Sequence, residues 1–317
     1  MKLINYKYNN KYKFGFLVGN RAVSMEDVLG NLSKNDLDSN LASDIVFIKN
    51  FYNNKAAVKD ILDELDLNRF LSIDDVELLS PIKKPTSLRD AYAFRQHVEA
   101  GRKSRNLPMI PEYDEFPVYY YSNHNAVSGP GNVSIQIEHA QSLDYELEIA
   151  AVIGKKGKNI KVEDADDYIL GYTIMNDFSA RQVQKKEMKM SLGPAKGKDF
   201  LTCLGPFIVT KDELDKYIVK NISGDKYNLK MTARLNGELL SEDNFKNITW
   251  TFAQIISQIS IGTTIYPGDV IGSGTCATGC LLEINQTNNT DIWLKDGDEI
   301  SLSIDGLGTL TNTITIK

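Results

Sequence analysis

The stretch DYELEIAAVIG, Asp144 to Gly154, sets two glutamates at the mouth of an otherwise apolar run. Side chains alternate along a strand, so Glu146 and Glu148 share one face while Leu147 and Ile149 take the other. Two carboxylates about 7 Å apart on one face repel unless the face is wet or a cation sits between them. The residues alone leave both readings open, a half-exposed strand or a pair of ligands for a hard metal ion. Further on, NDFSARQVQ spaces Asp177, Arg181 and Gln184 as on one helical face. That pattern fits a site, and equally an acid at a helix start with an i,i+4 salt bridge. Asp90 and His97 stand seven residues apart, a carboxylate and a candidate base two turns along a helix. GPAKGKDF holds Lys198 in a glycine-rich loop, which either approaches a ligand closely or is a plain surface turn. It is not a Walker A loop, because Asp199 stands where Ser or Thr belongs. No GxSxG or HExxH motif occurs, which removes the serine esterases and the zincins.

The elements that must position these residues are mostly strands. The chain has 317 residues, 42% hydrophobic and 25% charged, enough for one large or two ordinary globular domains. A net charge of -6 argues against a nucleic-acid partner. MKLINYKYNN lacks the apolar run of a signal peptide and no stretch reaches the length of a membrane span, so a soluble cytoplasmic protein is expected. Cys203, Cys276 and Cys280 are expected as reduced thiols, with little support for zinc held by the last two. LLSPIKKPTS, with two prolines, marks a boundary between a small N-terminal domain (1–82) and a larger one (83–317). SLRDAYAFRQHVEAGRKS predicts a helix with Ser87 as N-cap and Asp90 in its first turn. YILGYTIMNDFSARQVQ predicts a strand running into a helix at about Asn176. Thr210 and Glu213 predict a capping box, and CLLEIN a strand. Strands do not alternate regularly with helices, so neither a Rossmann fold nor a TIM barrel is expected.

Together RDAYAFRQH, DYELEIAAVIG, GYTIMNDFSARQVQ, GPAKGKDF and GDVIGSGT resemble the fumarylacetoacetate hydrolase family, over about residues 80 to 285. The resemblance implies a mainly β, α+β fold, a mixed β-roll or β-sandwich catalytic domain preceded by a small α+β domain, and commonly a homodimer. It implies a metal held by Asp90, Glu146, Glu148 and Asp177. Four hard oxygen ligands suit Mg²⁺ or Ca²⁺, with Mn²⁺ also allowed. It implies His97 as general base, oriented by Glu283, with Arg181, Gln184 and Lys198 holding substrate and its developing charge, and Thr275 contacting substrate. Phe178 stands where many members carry Trp, and one extra residue separates Gln184 from Lys198. Arg102, Arg105 and Tyr119 to Tyr121 are the candidates for gripping the far end of the substrate.

The activity so implied is metal-assisted hydrolysis of a carbon–carbon bond in a β-diketo acid, an acylpyruvate or fumarylacetoacetate-like small molecule. Decarboxylation or isomerisation of a 2-oxo acid, and dehydration of a 2-keto-3-deoxy sugar acid, use the same first ring of ligands and stand as alternatives. A binding protein that merely keeps the fold would not need the carboxylates, the histidine, its partner and the lysine together.

Overall fold

The structure, a computed structural model, describes residues 1–30, 38–103 and 106–317. Sheets dominate, as expected of the α+β class. Among the described residues, twelve strands form one large mixed sheet and five form a second. Four neighbouring strands of the large sheet matter most here: Ile169–Asp177, Leu147–Ile153, Asp269–Gly272 and Ser87–Ala91, in that order. The second sheet runs Glu238–Asn244, Lys230–Leu235, Glu299–Ile304, Gly308–Ile316, Gly131–Ile135.

Leu147–Ile153 is buried along its whole length, which is why DYELEIAAVIG reads as nearly continuous apolar sequence. Leu147, Ile149, Ala151 and Ile153 pack into a core shared with Met231, Leu302 and Leu310 of the smaller sheet. Ala150 and Val152 face the opposite way, into a core with Phe47, Phe51 and Val58. Those last three belong to the helices Asp44–Lys49 and Phe51–Glu64. The N-terminal strand Lys2–Tyr8 pairs with Thr202–Thr210, Leu3 opposite Ile208, so the first strands continue the large sheet. No described helix is long and apolar enough to cross a membrane.

Four local expectations are corrected. Ser87–Ala91 is a strand, and the helix begins only at Arg95. Parallel pairing with Asp269–Gly272 and burial of Leu88 outweigh the helical spacing, so Asp90 and His97 lie on different elements. Asp177 ends the strand Ile169–Asp177, and the helix starts at Arg181, so these two do not share a helical face. Thr210 makes no cap bond to the 3-10 helix Lys211–Tyr217. Instead its hydroxyl accepts from the Met1 amine at 2.6 Å, and Glu213 accepts from the same amine at 2.9 Å. CLLEIN is not a strand: Leu281–Asn288 is a helix, whose first N–H groups are taken up by the buried Asp144.

Candidate active site

Parity on the strands builds the site. Glu148 shares its face with Ala150 and Val152, Asp90 with Leu88, and Asp177 with Met175, all members of one core. The pairing Glu148 opposite Met175, with Gly272 beside both Ala150 and Asp90, brings the strand ends into line. One carboxylate oxygen from each of Asp90, Glu146, Glu148 and Asp177 lies within 4.8 Å of the others, and all four residues are buried. The carboxylate face of DYELEIAAVIG is dry, and its carboxylates converge.

Two glycines make the convergence possible. A Cβ at Gly272 would come within 2.7 Å of Asp90 Oδ1 and 2.8 Å of Glu148 Oε2. Gly274 has φ of +74°, and its N–H donates to both of those oxygens at 2.9 Å. Gly272→Ala is expected to push the two carboxylates apart and weaken cation binding by about tenfold or more, read by calorimetric titration of the stripped protein with Mn²⁺. Unchanged affinity would show that the cluster closes without Gly272.

The charge balance is lopsided. Lys198 Nζ donates to Glu146 Oε2 at 2.5 Å and to Asp177 Oδ2 at 2.7 Å. Burial would raise the Glu146 carboxyl, yet Lys198 and Arg181 outweigh it and hold that group down at about 2. Burial, then the neighbouring Asp177, pushes Asp90 up to about 7. Burial and the Asp90 charge push Glu148 well above the carboxylate range, and burial raises Asp177. Glu148 Oε1 is buried without a hydrogen-bond partner. Four carboxylates against the Lys198 ammonium and an Arg181 guanidinium shared with Asp144, with an orphaned oxygen among them, are what a hard divalent cation would satisfy. The residues present therefore fit such an ion, which Asp90, Glu146, Glu148 and Asp177 would hold. Tyr120 Oη also donates to Asp177 Oδ2, at 2.5 Å.

His97, on the helix Arg95–Lys103, faces Glu283 on the helix Leu281–Asn288. Its Nδ1 lies 2.8 Å from Glu283 Oε2. A carboxylate on Nδ1 fixes the tautomer and leaves Nε2 for chemistry. Pair and cluster are joined through Arg181, which binds both Glu146 and Asp144, while Asp144 caps the helix that carries Glu283.

Arg181 is buried and committed within the protein: Nε donates to Asp144, Nη1 to Gln184 and Nη2 to Glu146, at 2.8, 3.0 and 2.8 Å. Gln184 meets Arg181 through that bond. Thr275 is buried, its hydroxyl donating to Leu147 O at 3.3 Å. Tyr120 and Tyr121 line a cavity of about 280 Å³ with Pro194, Lys198 and Asp199. Tyr121 also stacks on Arg89, whose centre lies 4.7 Å from its ring. Tyr119 packs against Tyr121 with centroids 6.1 Å apart. Arg102 donates to the Pro108 carbonyl at 2.8 Å. Arg105 lies outside the described residues.

Sequence reasoning missed Asp144. It binds Arg181 and, through both oxygens, the N–H groups of Leu281 and Leu282, so it locks the helix that carries Glu283. The signal was present: Asp144 opens the D-x-E-x-E alternation, two before Glu146. Asp144→Asn strips the charge that balances buried Arg181 and is expected to cost about 3 kcal/mol in urea unfolding. A loss below about 1 kcal/mol would make Asp144 a dispensable cap.

Fold and site together define a metal-dependent enzyme class built on a mixed β architecture with a carboxylate cluster. Residues 86–315 match the family described as Fumarylacetoacetate (FAA) hydrolase C-terminal, and the chain belongs to that family. The chain is 32% identical over 254 residues to the oxaloacetate tautomerase YisK of Bacillus subtilis, covering 78% of this chain and 77% of that one. It is 30% identical over 240 residues to a mitochondrial oxaloacetate tautomerase of Homo sapiens, covering 76% and 70%. Its fold is that of the fumarylacetoacetate hydrolase from Exiguobacterium antarcticum, at TM-score 0.74, 24% identity and full coverage of both chains. Maleylpyruvate hydrolase from Sphingobium, solved with manganese(II) and pyruvate, superposes at TM-score 0.72 and 21% identity, covering 100% and 99%. The relatives and structural neighbours thus include proteins named as tautomerases and hydrolases, one of them solved with manganese(II).

Proposed function

We propose that this chain interconverts the enol and keto forms of a 2-oxo dicarboxylic acid of the oxaloacetate type. The observation that carries the reading is the His97–Glu283 bond of 2.8 Å beside the four-carboxylate cluster. A proton-transfer reaction needs one oriented base and one means of acidifying a carbon, and these residues offer both. Asp90, Glu146, Glu148 and Asp177 would hold Mg²⁺, Mn²⁺ or Ca²⁺. When bound, such an ion supplies Lewis acidity that polarises the oxo group and acidifies the carbon beside it. His97 exchanges the proton at that carbon through Nε2, while Glu283 holds the imidazole and stabilises its charged form. Lys198 brings the positive charge that meets a substrate carboxylate or enol oxygen at the mouth lined by Tyr120. The relatives named as oxaloacetate tautomerases support placing proton transfer ahead of hydrolysis.

Hydrolysis of a carbon–carbon bond in an acylpyruvate or fumarylacetoacetate-like acid is the second reading. It is favoured by the 12% exposure of the His97 side chain, through which a water could reach the same base. The experiment is an ultraviolet assay on protein stripped with chelator and resupplied with each cation. The expected result is cation-dependent decay of the oxaloacetate enol band with no acid released. Release of a carboxylic acid from an acylpyruvate would move the assignment to hydrolysis, and released CO₂ to decarboxylation. No turnover of either substrate with any cation would sink both readings. The stripped protein should retain no more than roughly a hundredth of the restored rate, because Lewis-acid stabilisation is worth several kcal/mol. A homodimer belongs to the proposal too, and light scattering at assay concentration reads it.

A further inference from the structure

The His97–Glu283 pair has a third neighbour. Cys280 immediately precedes the helix Leu281–Asn288, and its sulfur lies within 4.8 Å of a ligand atom from each of His97 and Glu283. Cys280 and Glu283 are buried, and His97 is nearly so. The group is chemically unlike the carboxylate cluster beside it: one sulfur, one imidazole nitrogen and one carboxylate oxygen, against four hard oxygens. Borderline-soft ions choose the mixed set, and hard ions choose the oxygens.

We propose that His97, Cys280 and Glu283 form a second metal site, selective for zinc, whose occupancy switches the enzyme off. Three protein ligands and a water make a familiar open zinc set. Tetrahedral zinc keeps such ligand atoms about 3.3–3.6 Å apart, so a spread of up to 4.8 Å must contract by up to about 1.5 Å. Side-chain rotation supplies that range, and the 12% exposed edge of His97 supplies the entry path. The Cys280 thiol gives its proton to solvent as sulfur binds the ion, and His97 binds as the neutral ring. Burial and the nearby Asp144 charge push the Cys280 thiol well above its ordinary range, so it is the ion itself that must displace this proton as it binds. Zinc there occupies a ring nitrogen of the base and a carboxylate oxygen of its partner together. The pair can then neither accept nor return a proton. Saturating the acidic cluster with Mg²⁺ does not relieve this, because the two sets share no ligand. Zinc binding stands on the cluster alone, whereas the switch rests on the proposed role of His97.

Cobalt separates the two. Protein stripped of metal, then saturated with Mg²⁺, is titrated with Co²⁺. The expected result is one equivalent giving an intense near-ultraviolet thiolate-to-cobalt band with tetrahedral visible bands, all displaced by Zn²⁺. Cys280→Ser should abolish the ultraviolet band. In turnover assays under the same Mg²⁺, Zn²⁺ should inhibit the wild type, and Cys280→Ser should raise the half-inhibitory concentration by roughly tenfold or more while keeping zinc-free turnover. Cys280→Ala repeats the test if the serine variant fails to fold, and the wild-type spectrum decides on its own. Absence of the band in the wild type, or its survival without Cys280, overturns the site. A full band with undiminished turnover overturns the switch and counts against His97 as the base.

Discussion

Replacing His97 with alanine is expected to lower turnover by about 10²–10⁴-fold while leaving cation binding intact, the range set by loss of a general base. His97 is not among the four carboxylates that converge within 4.8 Å, so the cluster should still close around Mn²⁺. The same titration used for Gly272→Ala checks that arm. Added imidazole should restore part of the lost rate, because a small base can enter where the ring was. Glu283→Gln should lose less, since the base remains and only its orientation and charge partner suffer. The two losses should not add, because Glu283 acts through His97 across a 2.8 Å bond. A His97→Ala enzyme within twofold of wild type would remove proton transfer and hydrolysis by this pair alike. Loss of activity accompanied by loss of Mn²⁺ binding would instead make His97 a structural support of the cluster.

The carboxylates were legible because strand parity is a local rule. Glu146 and Glu148 alternate with Leu147 and Ile149, and the structure keeps that alternation between two cores. What one strand cannot announce is its neighbour. Asp90 reaches the cluster through a parallel pairing with Asp269–Gly272, some 180 residues downstream. In sequence that segment has helical spacing, and only the partner strand decides otherwise. The same holds for CLLEIN, whose helix is fixed by Asp144 accepting its first N–H groups from far upstream. Asp177 illustrates a subtler limit. Its spacing to Arg181 fits a helical ion pair, yet Arg181 turns to Asp144 and Glu146 while Asp177 takes Lys198. Residue types narrowed the chemistry to carboxylates with cationic partners; which cation meets which anion was a long-range outcome.

Glu148→Gln is expected to raise the stability of the metal-free protein and weaken its response to metal. Glu148 is fully buried, Oε1 has no partner, and its nearest charged neighbour is the Asp90 carboxylate. No cation touches it directly: Lys198 is spent on Glu146 and Asp177. An amide is nearly isosteric. Its oxygen can keep the Gly274 N–H that Glu148 Oε2 now accepts at 2.9 Å, and its NH₂ can donate toward Asp90. Burial and Asp90 force the metal-free protein to take up a proton at Glu148 on folding, and an amide that lifts this demand should gain about 1–2 kcal/mol near neutral pH, a few degrees in the metal-free Tm. Wild type should gain more from Mn²⁺ than the variant, because the ion replaces repulsion by attraction only where all four carboxylates are present. The crossing is the diagnostic: the variant more stable without metal, the wild type more stable with it. Scanning calorimetry with and without Mn²⁺ reads both arms, and turnover should fall by about a hundredfold or more. A variant that loses stability without metal would mean that Glu148 is held by an attraction rather than tolerated against a repulsion. The cluster would then be a structural ion-pair network. Its energetic signature would be the reverse of a site that keeps its ligands strained for an ion.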